Sequence, residues 1–284
     1  MIIETRGDRD QAASLERTEG PGFFTRELEL ALLDRRIDLA VHSLKDLPTT
    51  PADGLRLAPA VPRREDPRDV CVTADGRPLA DLPPGARVGT SSLRRRAQLL
   101  ALRGDLVCDD IRGNVDTRLA KVRDGRYAAA ILARAGLARA GLLTEAMEVL
   151  DFDRMLPAPG QGALGLEIRR DDELLAELVR PLDHPATRWA VTAERSLLRH
   201  VEGGCQAPVA ALGRETWPGE LTLAGLVASP DGRRVIRDEI RGPMAEADTL
   251  GRRLASHLLA AGADEILAEL RRHGPGGARA AETG

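Results

Sequence analysis

The chain has 284 residues, a formal net charge of −3, 43% hydrophobic and 30% charged residues, ordinary values for a soluble globular protein of two or three small domains. No basic excess calls for nucleic acid, and aromatic residues make up only 2% of the chain, too few for base-stacking platforms. Met1-Ile2-Ile3-Glu4-Thr5-Arg6 carries no apolar leader and no long apolar span follows, so a cytoplasmic protein without a membrane partner is expected.

In chain order, Ile2–Thr5 reads as a short strand and Asp8 to Gly22 as a polar, mobile loop. Thr25 is placed to cap a helix whose Leu28, Ala31 and Leu32 recur at helical spacing. Ile37–Val41 is an apolar run typical of a buried strand, ending at His42-Ser43. Pro48, Pro51, Pro59 and Pro62 mark turns and a crossing into a second unit. There Asp69–Thr73, Arg87–Thr90, Leu106–Cys108 and Tyr127–Leu132 read as strands. Helices are expected after Ser91-Ser92, at Val115–Val122 and at Ala133–Leu143. This alternation predicts α/β lobes, doubly wound, with largely parallel sheets. Pro157–Gly162 looks like a return crossing and Leu164–Ile168 like a strand rejoining the first lobe. Beyond Pro185 a helix over Ala190–His200, a hairpin of Leu221–Ser229 and Arg233–Ile240 around Pro230-Asp231-Gly232, and a helical Ala245–Leu270 predict a small α+β domain. The expected limits are 1–62 with 163–182 for the first lobe, 63–162 for the second and 183–273 for the third domain, with 274–284 as a disordered tail.

Two stretches stand out chemically: His42-Ser43-Leu44-Lys45-Asp46-Leu47-Pro48, and Thr90-Ser91-Ser92-Leu93-Arg94-Arg95-Arg96 followed by Ile111-Arg112-Gly113-Asn114 and Arg118. Each puts hydroxyls and cations where the chain leaves a strand, the place where open α/β sheets bind ligands. Several guanidiniums and one carboxylate suggest a substrate with several carboxylates or phosphates. Arginines in a first helical turn oppose the helix dipole, so an anion is expected to compensate them; a solvated arginine face is the alternative. Nearly every cation is arginine, only Lys45 and Lys121 being lysines, which makes arginine clusters less telling and Lys45 more so. Asp46 reads either as a turn or surface-pair aspartate or as a carboxylate that stabilises a developing cation. Cys205, after Gly203-Gly204, is either a packed thiol or a reactive one, whereas Cys71 and Cys108 fit strand interiors. Cysteines and histidines stand at no metal-ligand spacing, so no metal is expected.

Together these stretches resemble the porphobilinogen deaminase (hydroxymethylbilane synthase) family. The resemblance also rests on Phe24-Thr25-Arg26-Glu27-Leu28-Glu29, Arg64-Glu65-Asp66-Pro67-Arg68-Asp69, Arg112-Gly113-Asn114-Val115-Asp116-Thr117-Arg118, Leu156-Pro157-Ala158-Pro159-Gly160-Gln161-Gly162-Ala163 and Gly203-Gly204-Cys205, in the family's order. It implies two lobes similar to type II periplasmic binding proteins plus a cofactor-bearing third domain, and a monomer that takes porphobilinogen. It implies a dipyrromethane cofactor on Cys205 through a thioether, to which porphobilinogen units are added head to tail with loss of ammonia. A transferase of tetrapyrrole biosynthesis is the implied class. Asp46 matches the family's catalytic aspartate. Ser43, Lys45, Thr90, Ser91, Ser92, Arg94, Arg95, Arg112, Arg118 and Arg139 match carboxylate-binding positions, Gln161 and Gly162 lie near the cofactor, and Phe24 packs beside the pyrroles. A two-lobed anion-binding protein without catalysis is the reading from another class; it leaves Cys205 and the third domain unexplained.

Two departures accompany the resemblance. Gly20-Pro21-Gly22 stands where the family has Gly-Lys-Gly. The family's opening strand and helix, with a Gly-Thr-Arg-x-Ser-like motif, have no counterpart, since Met1 to Asp8 aligns with the second strand. An incomplete first lobe is the corresponding expectation, and an inactive truncated deaminase is the second alternative to the active enzyme.

Overall fold

The computed structural model describes residues 25–201 and 207–273. The expected strand at Ile2–Thr5, the loop Asp8–Gly22, Phe24, Cys205 and the tail from Gly274 lie outside the described residues.

The first lobe begins with α1 (Arg26–Leu33), β1 (Ala40–Ser43) and β2 (Leu55–Leu57). Thr25 occupies the cap position of α1, but its hydroxyl donates to Glu29 Oε1 at 2.6 Å instead of accepting a backbone N–H. β1 starts later than the apolar run Ile37–Val41 suggests. The N–H groups of Arg36 and Ile37 both donate to Ala31 O, so these residues still close the helix end.

The chain then crosses to β3 (Asp69–Thr73), β4 (Arg87–Gly89), α2 (Leu93–Leu102), β5 (Val107–Asp109), α3 (Val115–Arg123), β6 (Ala129–Ala133), α4 (Arg134–Arg139) and β7 (Glu148–Leu150). Ser92 and Asn114 cap α2 and α3 by accepting from Arg95 N and Thr117 N. α4 is shorter than Ala133–Leu143. Gly141, at φ +68°, ends it in a Schellman arrangement, with Leu142 N on Leu137 O and Gly141 N on Ala138 O.

The return crossing delivers β8 (Leu164–Arg169) and α5 (Glu173–Val179) to the first lobe. The third domain follows as α6 (Pro185–His200), β9 (Val209–Trp217), β10 (Glu220–Ala228), β11 (Val235–Pro243), α7 (Ala247–Leu258) and α8 (Asp264–His273). The long helical stretch expected over Ala245–Leu270 is interrupted at Gly262, which sits at φ +104° in a π-turn. α6 begins earlier than expected, because His184 caps it and Pro185 fits its first position.

The expectation of largely parallel sheets requires correction. The five-stranded sheet, ordered β5-β4-β6-β3-β7, is mixed: β4 runs parallel to β5 and β6, but β3 runs against β6 and β7. In the first lobe the described strands, ordered β1-β8-β2, all pair antiparallel. The cause is the crossings. β3 and β8 enter their lobes from the hinge: Asp69 pairs with Ala133 at the end of β6, and Leu164 with Ser43 at the end of β1. A strand that starts where its neighbours finish runs against them.

The lobes share buried surfaces with the third domain. Ala97 of α2, Leu156 and the inner faces of β9 and β10 (Ala210, Leu212, Ala224, Leu226) form one apolar cluster. Leu44, Leu47, Ala163 and Val191 of α6 form another. The second places α6 directly beneath the Lys45-Asp46 turn.

Candidate active site

The turn Leu44–Asp46 follows β1 as a single 3₁₀ turn. Its base is fixed from below. His42 is buried and its Nε2 lies 3.1 Å from Glu167 Oε2 of β8, a contact that ties the end of β1 to β8. Arg195 of α6, also buried, donates from Nη1 to Leu47 O at 3.1 Å and from Nη2 to Pro48 O at 2.6 Å. This clamp on backbone carbonyls leaves the turn little freedom. Ser43 is half-buried at the end of β1. The Lys45 side chain is set into the cleft wall. Burial lowers its pKa from the ordinary lysine value, Asp46 and Asp69 work against that shift, and Arg95 and Arg94 add to it. Asp46 is exposed, and its carboxylate takes no hydrogen bond from any described residue.

The facing wall belongs to the second lobe. Thr90 is buried and its Oγ1 accepts from Ser92 N at 3.2 Å. The Ser91 hydroxyl donates to Ile111 O and accepts from Ile111 N, pinning the segment that carries Arg112 to the start of α2. Arg118 donates from Nε to Gly113 O at 2.8 Å. Burial, with Arg95 and Arg112 as neighbouring cations, lowers its pKa, and Asp46 partly offsets this. Lys45 thus lies within electrostatic reach of Arg94 and Arg95, and Asp46 within reach of Arg118, all three on the second lobe. Arg112 is only partly covered; its nearest counter-ion, Asp110, is 4.0 Å away.

Arg94 and Arg95 differ from the expected picture. They are not open to the cleft with a ligand as their sole anion. Both are buried on Asp69: Arg94 Nη1 donates to its Oδ2 at 2.7 Å, and Arg95 donates from Nη2 and Nε to its Oδ1 at 2.7 and 3.1 Å. Burial alone would raise the Asp69 carboxyl, but these guanidiniums hold it well below the usual carboxylate range. The anion that compensates the first turn of α2 is therefore supplied by the protein itself.

The crossings complete the site. Gln161 is buried and donates from Nε2 to Pro67 O at 2.7 Å and to Asp69 Oδ1 at 2.9 Å, tying one crossing to the other. Gly162 sits at φ +85°, and a Cβ there would come within 2.5 Å of Glu65 O, so only glycine fits. Arg139 Nη2 donates to Gly162 O at 2.6 Å. Beneath them, the buried Glu194 of α6 accepts from Arg64 of the first crossing and from Gly160 N of the second. Asp69, Glu194 and Arg195 are the site-building residues that sequence reasoning missed; the only hint was the adjacent Glu-Arg pair on a helix otherwise bearing apolar residues at helical spacing.

The family model for the porphobilinogen deaminase dipyromethane cofactor binding domain matches residues 1–177, and that for the porphobilinogen deaminase C-terminal domain matches residues 189–260. The chain is 51% identical over 269 residues to the porphobilinogen deaminase of Thermus thermophilus, covering 95% of this chain and 87% of that protein. It is 51% identical to that of Moorella thermoacetica, over 95% and 86% of the two chains. The chain belongs to the porphobilinogen deaminase family. Among solved structures, an arginine-specific periplasmic binding protein of Salmonella typhimurium overlaps it at 18% identity and a TM-score of 0.34, over 56% of this chain and 70% of that one. That overlap is too slight to carry an argument.

The family's dipyrromethane cofactor has carboxylates that accept and pyrrole N–H groups that donate. The wall offers both complements. Arg94 Nε is a buried donor and Gln161 Oε1 a buried acceptor, each without a partner among the described residues. Buried polar atoms are rarely left unpaired. A group bearing carboxylates and N–H donors suits this pair; Arg56 and Arg169, outside the site, also leave a buried Nε without a partner among the described residues, so the Gln161 acceptor is the more telling of the two.

Proposed function

We propose that this chain joins four porphobilinogen molecules head to tail into the linear tetrapyrrole hydroxymethylbilane, releasing ammonia at each addition, on a dipyrromethane held by a thioether to Cys205. The observation that carries this reading is the approach of the Lys45-Asp46 turn to Arg94, Arg95 and Arg118 across the cleft. When bound, the dipyrromethane supplies the nucleophilic pyrrole carbon. Arg112, Arg118 and the free Nε edge of Arg94 bind the acetate and propionate groups of substrate and growing chain, with Thr90, Ser91, Ser92 and Ser43 lining the same wall. Lys45 adds a cation whose charge is lost at lower pH than that of an exposed lysine. Asp46 accepts from pyrrole N–H groups and stabilises the positive charge that develops as ammonia departs. Arg139 holds the Gly162 carbonyl, and Phe24 packs beside the pyrroles. The domain limits 1–62 with 163–182, 63–162 and 183–273 follow the two crossings in this reading. No helix among the described residues is long and apolar enough to cross a membrane. We read the protein as a cytoplasmic monomer whose partner is its small-molecule substrate.

Intact mass tests the reading directly. Protein produced with porphobilinogen available should carry the added mass of a dipyrromethane, and Cys205→Ser should carry none. An unmodified wild-type chain that makes no tetrapyrrole would sink it.

The arginines give a second expectation. Arg112→Leu and Arg118→Leu each leave a ligand carboxylate without its partner. Covalent complexes with fewer pyrroles should accumulate, visible as discrete masses, and product release should slow. Normal release by both variants would reduce these arginines to surface charge.

A further inference from the structure

Asp69 opens β3 directly after the first crossing and is fully buried. Its carboxylate gathers donors from two separate segments: Arg94 and Arg95 from the start of α2, and Gln161 Nε2 from the return crossing. Both guanidiniums also have a carbonyl partner, Arg94 Nη1 at Leu156 O and Arg95 Nη1 at Ile131 O. These contacts fix the planes of both guanidiniums and of the Gln161 amide. Here one edge of Arg94 and one oxygen of Gln161 stay unmatched, and Asp69 holds both groups that bear them.

We propose that Asp69 is a positioning residue of the deaminase: a resident counter-ion that keeps Arg94 and Arg95 side by side before substrate carboxylates arrive and presents the Nε edge of Arg94 and Oε1 of Gln161 to the ligand. The inference rests on the function proposed above. Two cations sharing one carboxylate leave an excess of positive charge in the wall, and Lys45 across the cleft adds to it. Without Asp69 the ligand's own carboxylates would have to hold the arginines together. Ligand binding and wall stability are therefore linked through this side chain.

The test uses the full chain as apoprotein and as cofactor-loaded protein, with Asp69→Asn and Asp69→Glu. In the Asn variant the apoprotein midpoint should fall by roughly 6–20 °C, as for a broken buried ion pair in a chain of this size. The stabilisation of loaded over apoprotein should exceed that of wild type, because ligand carboxylates restore negative charge beside the arginines. The Glu variant keeps the charge but displaces it by a methylene. It should load cofactor, and its KM for porphobilinogen should rise about tenfold or more while kcat changes less. Recovery of the Asn variant only as loaded protein is the extreme form of the expected result; if it is never recovered, the Glu variant decides alone. Equal midpoint losses in apoprotein and loaded protein, or a Glu variant with KM within about twofold of wild type, would overturn the proposal. Failure of the function itself shows separately, as an unmodified mass and no tetrapyrrole in wild type.

Discussion

Asp46→Asn should slow turnover by an amount equal to about 2–4 kcal/mol in the barrier while leaving cofactor attachment in place. The substitution keeps size and most hydrogen-bonding capacity but removes the negative charge that faces the cleft. In the structure that carboxylate has no described hydrogen-bond partner, so removing its charge breaks no structural bond, and the loss should fall on the reaction. A pH signature accompanies it. Asp46 is the strongest influence holding the Lys45 pKa up against burial. Without it the Lys45 pKa drops further, so the protonated form is lost at lower pH. The alkaline rise in KM should therefore begin at lower pH in the variant than in wild type. Ammonia release followed across pH measures both effects. Near-normal turnover would remove Asp46 from the reaction, and an unmoved alkaline limb would separate it from Lys45.

What could be read in the sequence follows from which forces act locally. Ser92 as cap of α2, Asn114 at the head of α3 and the Pro230-Asp231-Gly232 hairpin are local devices, and each forms where its residues stand. Strand direction was not legible. Asp69–Thr73 reads as a buried strand either way, and only the position of the hinge makes it antiparallel to β6. β9 also escaped notice: Val-Ala-Ala-Leu-Gly-Arg-Glu-Thr-Trp has little alternation, and its strand state depends on β10 and α6 packed against it. The same division holds at the site. The cleft-facing Lys45, Asp46, Arg112 and Arg118 announce themselves as charges at strand ends. Asp69, Glu194 and Arg195 act through partners tens of residues away, and an ion pair of that kind has no spacing to reveal it.

The buried Glu194 is where the largest loss of stability is expected. Its Oε1 accepts from Arg64 Nη1 at 2.6 Å and Gly213 N at 2.8 Å, and its Oε2 from Gly160 N at 2.7 Å and Arg64 Nη2 at 3.1 Å. One carboxylate thus joins the first crossing, the return crossing, the third-domain sheet and α6. Arg64→Leu leaves that carboxylate buried with two backbone donors only, which should cost about 3–5 kcal/mol. Glu194→Gln should cost at least as much. Each oxygen faces one guanidinium nitrogen and one backbone N–H, so the new amide group meets two donors whichever way it turns. Replacing both residues by leucine removes the unpaired charge and should recover part of the loss, leaving the two glycine N–H groups as the residual cost. Denaturant unfolding of the two single variants and the double variant measures the coupling between them. The crossings should also become open to proteolysis in Arg64→Leu while the isolated strands of each sheet stay protected. A single variant within about 1 kcal/mol of wild type, or losses that simply add, would show that the crossings are held by their apolar contacts and not by this carboxylate.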